Sequence, residues 1–512
     1  MSAEVPHQVV SYRTPAPRTI AEVALPVEDV HWLRRALASR QVIAGAVTAA
    51  IVVWLAWTAH SEAALTAGAA TTLIVFVTAV YCWVFTSIDD TYVALGAGAL
   101  LVISGQMDTE TLFTALGADV VWLLLCAFVL SAGVTASGLA HRGAAFLFTG
   151  VRSTRGLLHV VTLALVCTAF AVPSTSGRAA LAIPIFTALA VALADRPRVV
   201  KALALTFPTV ILLSAVGSYL GAGAHLVTSQ LVETATGEGF DFARWLLLGL
   251  PLAVVASHIA AELILRLFTT AEDRATPLTV TVDDLRATSA SPLTGPLTVL
   301  EGRAALLLCA VIVLWCTESL HGLHPAIVAL FGALVATSPR YGAVALGGAL
   351  KKVPWSLILF MAATLALGQS LISSGAADYL AGGLLAPTAA LGPASGIVFV
   401  VTVVLASTMA HLVIQSRSAR SAVLVPVVMA LAPAVGVDPV GAAFASTAAA
   451  GFCHTLTSSA KPVAMFAQVE DVPGFTPGDL LRLSVWLAPI SAALVLVFSL
   501  LVWPLMGLPI FA

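Results

Sequence analysis

Charge is what this chain has least of. Only 10% of its 512 residues are Asp, Glu, Lys or Arg, where a soluble domain carries about 25%. That scarcity excludes an ordinary soluble globule. Mean hydropathy is +1.01, and apolar runs of about 18 residues or more recur, long enough to span a bilayer. Together they predict an all-α polytopic membrane protein. Segments of about ten residues with alternating polarity, the mark of a transmembrane barrel, are missing. A basic tail is missing too, and with a net charge of −2 no nucleic-acid partner is expected. Cys82, Cys126, Cys167, Cys309, Cys316 and Cys453 lie in apolar runs without a CxxC pair. They read as inert thiols, not a disulfide framework or a zinc site, and no metal is assigned. There is no HExxH, no GxSxG and no pair of aspartates within one span, so the chain is expected not to be an intramembrane enzyme and to need no organic cofactor.

Residues 1–40 are polar and Pro-rich, with Arg13, Arg18, Arg34, Arg35 and Arg40 and no signal-peptide core. They are expected to form a cytoplasmic, partly disordered arm, with the N-terminus inside. Hydropathy predicts helices near 41–60, 64–87, 92–105, 119–140, 157–172, 179–194, 198–216 and 244–268. It continues with 303–319, 324–338, 355–374, 393–413, 419–433, 440–456 and 482–507. Residues 269–302 carry Glu272, Asp273, Arg274, Asp283, Asp284 and Arg286. They are expected to be a cytoplasmic loop joining a first transmembrane repeat, 41–268 with an extra N-terminal helix, to a second, 303–512.

Two apolar stretches break off in the same way. STSGRAALAIPIFTALA begins at Ser174 and SRSARSAVLVPVVMALA at Ser416, aligned without a gap 242 positions apart. Looser matches, VAL at Val93 and Val328 and SG at Ser137 and Ser374, keep the same order. Paired interruptions in a duplicated membrane chain are a feature of secondary transporters, with the site where the repeats meet. Chance similarity of Ala/Val/Leu-rich segments is the competing account, and it deals poorly with S-x-S-x-R followed by Pro in both halves.

Each break sets hydroxyls and arginine at a helix start. Ser174, Thr175 and Ser176 precede Arg178; Ser416 and Ser418 flank Arg417, with Arg420 just beyond. A helix start offers free N–H groups and about half a positive charge, a seat for an anion. An arginine there repeats the dipole's sign, and at mid-membrane it costs about 2.5–3.5 kcal/mol. A bound anion would offset both. The competing account has the arginines snorkelling to water or paired with carboxylates, of which Glu262, Glu318 and Asp378 are candidates. Two further irregular segments hold Gly217, Gly221 and Gly223 with His225, and His454, Thr457, Ser458, Ser459 and Lys461. They are candidates for an ion-coupling region; close helix packing is an equal account of the glycines. His225, His411 and His454 could carry protons, but a satisfied hydrogen-bonding role is as good a reading.

These features resemble the divalent anion–sodium symporters, the sodium/sulfate/dicarboxylate carriers of solute carrier family 13, from about Thr71 to the C-terminus. The family carries a Ser-Asn-Thr tripeptide in each half with a Pro ten positions after the Ser. Ser174-Thr175-Ser176 and Ser416-Arg417-Ser418 fall on the tripeptides, Pro184 and Pro426 on the prolines. FDFARWLLLGLPLAV from Phe240, LHGLHPAIVALFGAL from Leu320 and DLLRLSVWLAPISAALVLVFSLLVWPLMG from Asp479 are similar to further family segments. The resemblance implies inverted repeats, re-entrant hairpins, discontinuous helices and elevator-type movement. It also implies a homodimer in the inner (plasma) membrane and a dicarboxylate or sulfate-like oxyanion as substrate. The family's asparagines are absent: the chain contains no Asn, and Thr175 and Arg417 stand in the tripeptides. The second Gly-Thr-Pro-Pro-Asn loop aligns with Thr457-Ser458-Ser459-Ala460-Lys461. Arg417 or Lys461 is expected to replace a sodium ion electrostatically, leaving sodium-independent exchange, uniport or proton coupling. Two alternatives stay open. One is a proton-driven efflux carrier for arsenite or a weak acid, the other a degenerate scaffold or receptor that no longer transports.

Overall fold

The computed structural model describes residues 30–61, 65–139, 142–143, 151–278, 295–376, 379, 394–469, 472 and 474–511, with side chains from residue 41 onward. The described residues are helical apart from turns and one isolated bridge, Val437 with Phe511. Eleven of their helical segments are long and apolar enough to cross a bilayer. The first half is built from α1 (Val30–Ser61), α2 (Ala67–Phe85), α3 (Asp90–Ile103), α4 (Asp119–Ala136), α5 (Thr154–Ala171), α6 (Thr175–Ala192), α7 (Pro197–Leu213), α8 (Gly223–Thr236) and α9 (Phe242–Phe268). The second half comprises α10 (Val299–Cys316), α11 (Pro325–Ala336), α12 (Trp355–Ser373), α13 (Ser395–Met409), α14 (Arg417–Leu431), α15 (Pro439–Ala449), α16 (Lys461–Ala467) and α17 (Pro477–Val497), the last continuing helically to Leu505.

Local chemistry fixes where these helices begin. Asp89 caps α3 by accepting from the Thr91 and Tyr92 amides at 2.9 and 3.2 Å. Asp241 caps α9, and capping boxes start α10 (Thr298 with Glu301) and α17 (Thr476 with Asp479). Each cap satisfies an amide that the first turn leaves free. Gly237, at φ 82°, ends α8 in the left-handed conformation that glycine adopts without strain. The expected helices are all present, with two differences. Residues 30–40 extend α1 into the segment expected to be a polar arm; its run VHWLRRALASR is rich in strong helix formers. Residues 1–29, and 279–294 of the expected loop with Asp283, Asp284 and Arg286, lie outside the described residues. Helix 271–275 and the start of α10 occupy parts of the expected loop. The helices α8 and α16 were not expected.

From α2 to α9 and from α10 to α17, the same sequence of elements runs twice. Each second-half helix starts 232 to 242 residues after its first-half counterpart. In both halves a helical hairpin (α5–α6 and α13–α14) is followed by a helix broken in the middle (α7/α8 and α15/α16). The hairpins are anchored at opposite ends of α17. The base of α5–α6 is held where Arg196 donates to the carbonyls of Thr276 and Pro277 and Lys201 pairs with Asp479 at 3.1 Å. The base of α13–α14 lies where the Asp438 amide donates to the Ile510 carbonyl at 3.0 Å. At about 1.5 Å per residue, those ends are roughly 35–40 Å apart. The packing is also exchanged. Hairpin α5–α6 packs on α7 and on α16 of the other half, and hairpin α13–α14 packs on α15 and on α8 of the other half.

Candidate functional site

The two hairpin tips meet at one cavity of about 370 Å³. Ser174, Thr175 and Ser176 line it from the first tip and Ser416, Arg417 and Ser418 from the second. Gly223, Ser458 and Lys461 line it from the two broken helices. Six of the eight residues expected to bind substrate thus come together from the two tips, with three of the expected coupling-region residues beside them.

Their local geometry suits an anion. Ser174 is the N-cap of α6, its hydroxyl oxygen accepting from the Gly177 amide at 3.2 Å; Ser416 does the same for α14 with the Ala419 amide at 3.3 Å. Each oxygen is used by its helix, while the O–H proton stays free to donate. The start of α8 carries no side-chain cap: its N-cap is Ala222, and Ala222 and Gly223 both face the cavity. Three helix N-termini, α6, α8 and α14, therefore converge, each with the positive end of its dipole toward the same space. Glycine at 223 keeps this space open: a Cβ there would lie 3.0 Å from the Ser418 hydroxyl and 3.1 Å from Leu357, and both side chains would have to give way.

Two of the expected arginines, Arg178 and Arg420, are not part of the cavity lining. Arg178 is 0% exposed and bonds wholly to neutral groups. Its Nε donates to Thr168 Oγ1 at 2.9 Å, Nη1 to the Ile211 carbonyl at 2.9 Å, and Nη2 to the Leu165 carbonyl and Ser214 Oγ, both at 2.6 Å. It ties α6 to α5 and to the end of α7. Arg420 is also 0% exposed and donates through Nη1 to the Phe452 carbonyl at 3.4 Å, while its Nε and Nη2 have no partner among the described residues. The physical reason is helical rise. Both arginines sit four residues past their N-cap serine, a full turn behind the tip. Arg417, one residue past its cap, stays at the tip. Its Nη1 donates to the Leu212 carbonyl at 3.4 Å, at the negative end of α7, and its Nε is free of partners among the described residues.

The coupling-region candidates divide in the same way. Gly217 and Gly221 are packing residues: a Cβ at 217 would lie 2.9 Å from Ala253 Cβ, and one at 221 only 2.1 Å from the Ala215 carbonyl oxygen. Thr457 begins a single 3₁₀ turn beside the cavity without lining it; Ser458 and Lys461 line it. The three histidines lie off the cavity. His225 meets the Ser218 carbonyl at 3.0 Å and stacks on Trp245, and His411 sits between the Thr408 carbonyl and the Thr455 hydroxyl.

Among the described residues, Arg178, Arg417, Arg420 and Lys461 have no carboxylate within 4.0 Å. The carboxylates weighed as partners are elsewhere. Glu262 pairs with Arg155 and Arg266 at 2.6 and 3.0 Å. Glu318 lies past the end of α10, where burial and the nearby Asp241 carboxylate raise its pKa above the usual carboxylate range. Asp378 is outside the described residues. The residue that sequence reasoning missed is Asp90. It lines the cavity from the first turn of α3, together with Ser416, Arg417 and Lys461. The signal was available as two adjacent aspartates, Asp89 and Asp90, between two apolar helices.

Eleven segments able to cross a bilayer, and two hairpin tips facing one polar cavity, describe a multi-pass membrane protein of the kind built by transporter families. The chain belongs to the sodium:sulfate symporter family, whose transmembrane-region model matches residues 40–508. A protein described as a membrane protein from Cupriavidus necator is 25% identical over 314 residues, 60% of this chain and 60% of that protein. The chloroplastic dicarboxylate transporter 2.1 of Arabidopsis thaliana is 31% identical over 110 residues, 20% of each chain. The matched region thus spans less than two thirds of either relative. Among solved structures, Neisseria gonorrhoeae MtrF, described within a class of antimetabolite efflux pumps, covers 90% of this chain and 99% of its own. Its TM-score is 0.56 at 13% identity, a likeness of fold.

Proposed function

We propose that this transporter carries a small anion, a dicarboxylate or a sulfate-like oxyanion, without needing sodium. One observation carries the reading: three helix N-termini, Arg417 and Lys461 all serve one cavity, with Asp90 as its single carboxylate among the described residues. Such a site has more positive than negative charge to satisfy, and a bound anion supplies the difference. A neutral substrate would leave Arg417 and Lys461 uncompensated, which argues against an arsenite-type efflux role. Ser174, Thr175, Ser176, Ser416 and Ser418 donate hydrogen bonds, Arg417 and Lys461 supply the fixed charge, and the family's sodium becomes unnecessary.

The carrier works as two inverted repeats, with the hairpins riding on a transport domain that moves as an elevator within a homodimer. Arg152, Arg155, Arg196 and Lys201 flank the base of the α5–α6 hairpin. Asp119, Glu233, Asp241 and Glu318 share one cavity of about 440 Å³ at the other end. The positive-inside rule puts the basic end, and with it the N-terminus, in the cytoplasm; the membrane is the inner (plasma) membrane.

The test is a thermal-shift screen of the purified protein against dicarboxylates and sulfate, with and without sodium, since a ligand that binds only the folded state raises its midpoint. Stabilisation by a dianion, unchanged by sodium, is the expected result. Vesicle uptake that rises steeply with sodium at fixed membrane potential would sink the sodium-independent reading. A folded protein that binds none of these anions would favour the scaffold alternative.

A further inference from the structure

We propose that Asp90 is the proton-binding group of this carrier, taking up a proton when an anion enters the cavity and giving it back when the anion leaves. The assignment rests on the anion-carrier reading above and names its coupling ion. Among the described residues Asp90 is the one carboxylate lining the cavity, and it is half-buried there. Helix α3 does not need it, because the neighbouring Asp89 already accepts from both the Thr91 and Tyr92 amides. Its backbone is held where the Trp83 indole donates to the Asp90 carbonyl at 3.1 Å, and the next residue is tied to the start of α12, Thr91 Oγ1 donating to the Ser356 carbonyl at 2.9 Å. A carboxylate on so fixed a stretch of backbone, yet not used to cap its helix, is placed for the cavity that it lines.

Charge balance gives it a task. The groups that face Asp90 are Arg417 and the Ser416 hydroxyl from α14, Lys461 from α16, and Asp89 on its own helix. The packed helices α2 and α12 contain no Asp, Glu, Lys, Arg or His. With Asp90 ionised, the cavity holds one net positive charge from its side chains; with Asp90 protonated it holds two, the match for a dianion. An entering anion places like charge beside the carboxylate and displaces water from it, and both effects favour the protonated form. By linkage, a bound proton strengthens anion binding to the same degree. Proton and anion then travel together, and the proton gradient can drive accumulation.

Proton uptake on binding tests this directly. The full-length protein is titrated in weakly buffered, sodium-free solution with sulfate, which takes up no proton itself near neutral pH, and with succinate under mildly alkaline conditions, where it is fully ionised. Wild type is expected to draw about one proton per anion, and its apparent Kd to rise about tenfold per pH unit. Asp90→Asn is expected to draw none and to lose that slope, and Asp90→Glu to regain it. In proteoliposomes an inward proton gradient should raise wild-type accumulation about tenfold or more and leave Asp90→Asn unstimulated. Anion binding by wild type without proton uptake overturns the proton assignment and leaves the carrier reading standing. Proton uptake that persists in Asp90→Asn overturns it as well. If wild type neither binds nor moves sulfate or succinate, the carrier reading falls, and this one with it.

Discussion

Arg178 and Arg420 occupy the same place in the two hairpin tips, 242 residues apart, and both are 0% exposed. Their surroundings differ. Every nitrogen of Arg178 has an acceptor, and the residue cross-links α5, α6 and the end of α7. Arg420 has one long bond and two bare nitrogens among the described residues. The second tip differs from the first in having another arginine: where the first carries Thr175, it carries Arg417, which takes the Leu212 carbonyl beside the Ile211 carbonyl held by Arg178. A duplicated motif can thus keep its letters while its two copies divide the work. One arginine holds the hairpin together, and the other copy presents charge to the cavity.

The comparison breaks first at Arg178. Arg178→Met removes four hydrogen bonds made by a buried charged group, to Thr168, Ile211, Leu165 and Ser214, while the Thr168 and Ser214 hydroxyls keep the Leu165 and Val210 carbonyls as acceptors. At about 1.5–3 kcal/mol for a hydrogen bond to a charged group, the protein is expected to lose at least about 3 kcal/mol, read as a large fall in melting temperature in detergent. Arg420→Met removes a buried charge with little to satisfy it. Replacing such charges with apolar side chains of similar volume is often neutral or stabilising by about 1–4 kcal/mol, so its melting temperature should hold or rise. Equal losses in the two variants would erase the distinction. Next in size is Arg417→Ala. A hydrogen bond to a charged group contributes about 1.5–3 kcal/mol, so sulfate or succinate binding should weaken roughly tenfold to a hundredfold, with the melting temperature of the unliganded protein little changed. Smallest is Gly223→Ala. The Cβ would press on the Ser418 hydroxyl and Leu357, both side chains that can turn aside, and anion binding should weaken only about threefold, for a cost under about 1 kcal/mol.

Most of the architecture was legible in the sequence because long apolar runs admit few alternatives to helices. The tips were legible too: a serine before a small-residue helix, repeated at fixed spacing, places a cap where the cavity lies. Three features were not. Helices α8 and α16 were hidden because their starts are rich in Gly, Ala, Ser and Thr, so hydropathy does not separate them from the break before them. The depth of Arg178 and Arg420 was misjudged because a motif was read as a patch; one helical turn separates the residues at the tip from those behind it. Asp90 was overlooked because carboxylates were sought within spans, while this one stands at the junction of two.

The exchanged packing of the hairpins has a consequence for how the protein is made. Hairpin α5–α6 is complete once the ribosome passes Ala192, but α16, on which it packs, ends at Ala467. At about 5–20 residues per second of synthesis, the first tip waits roughly 14–55 s for the helix that completes its surroundings. Throughout that interval Ser174 and Thr175 have no partner half, and the nascent first half of the chain needs either lipid, a chaperone or the insertion machinery to cover what α16 will later cover.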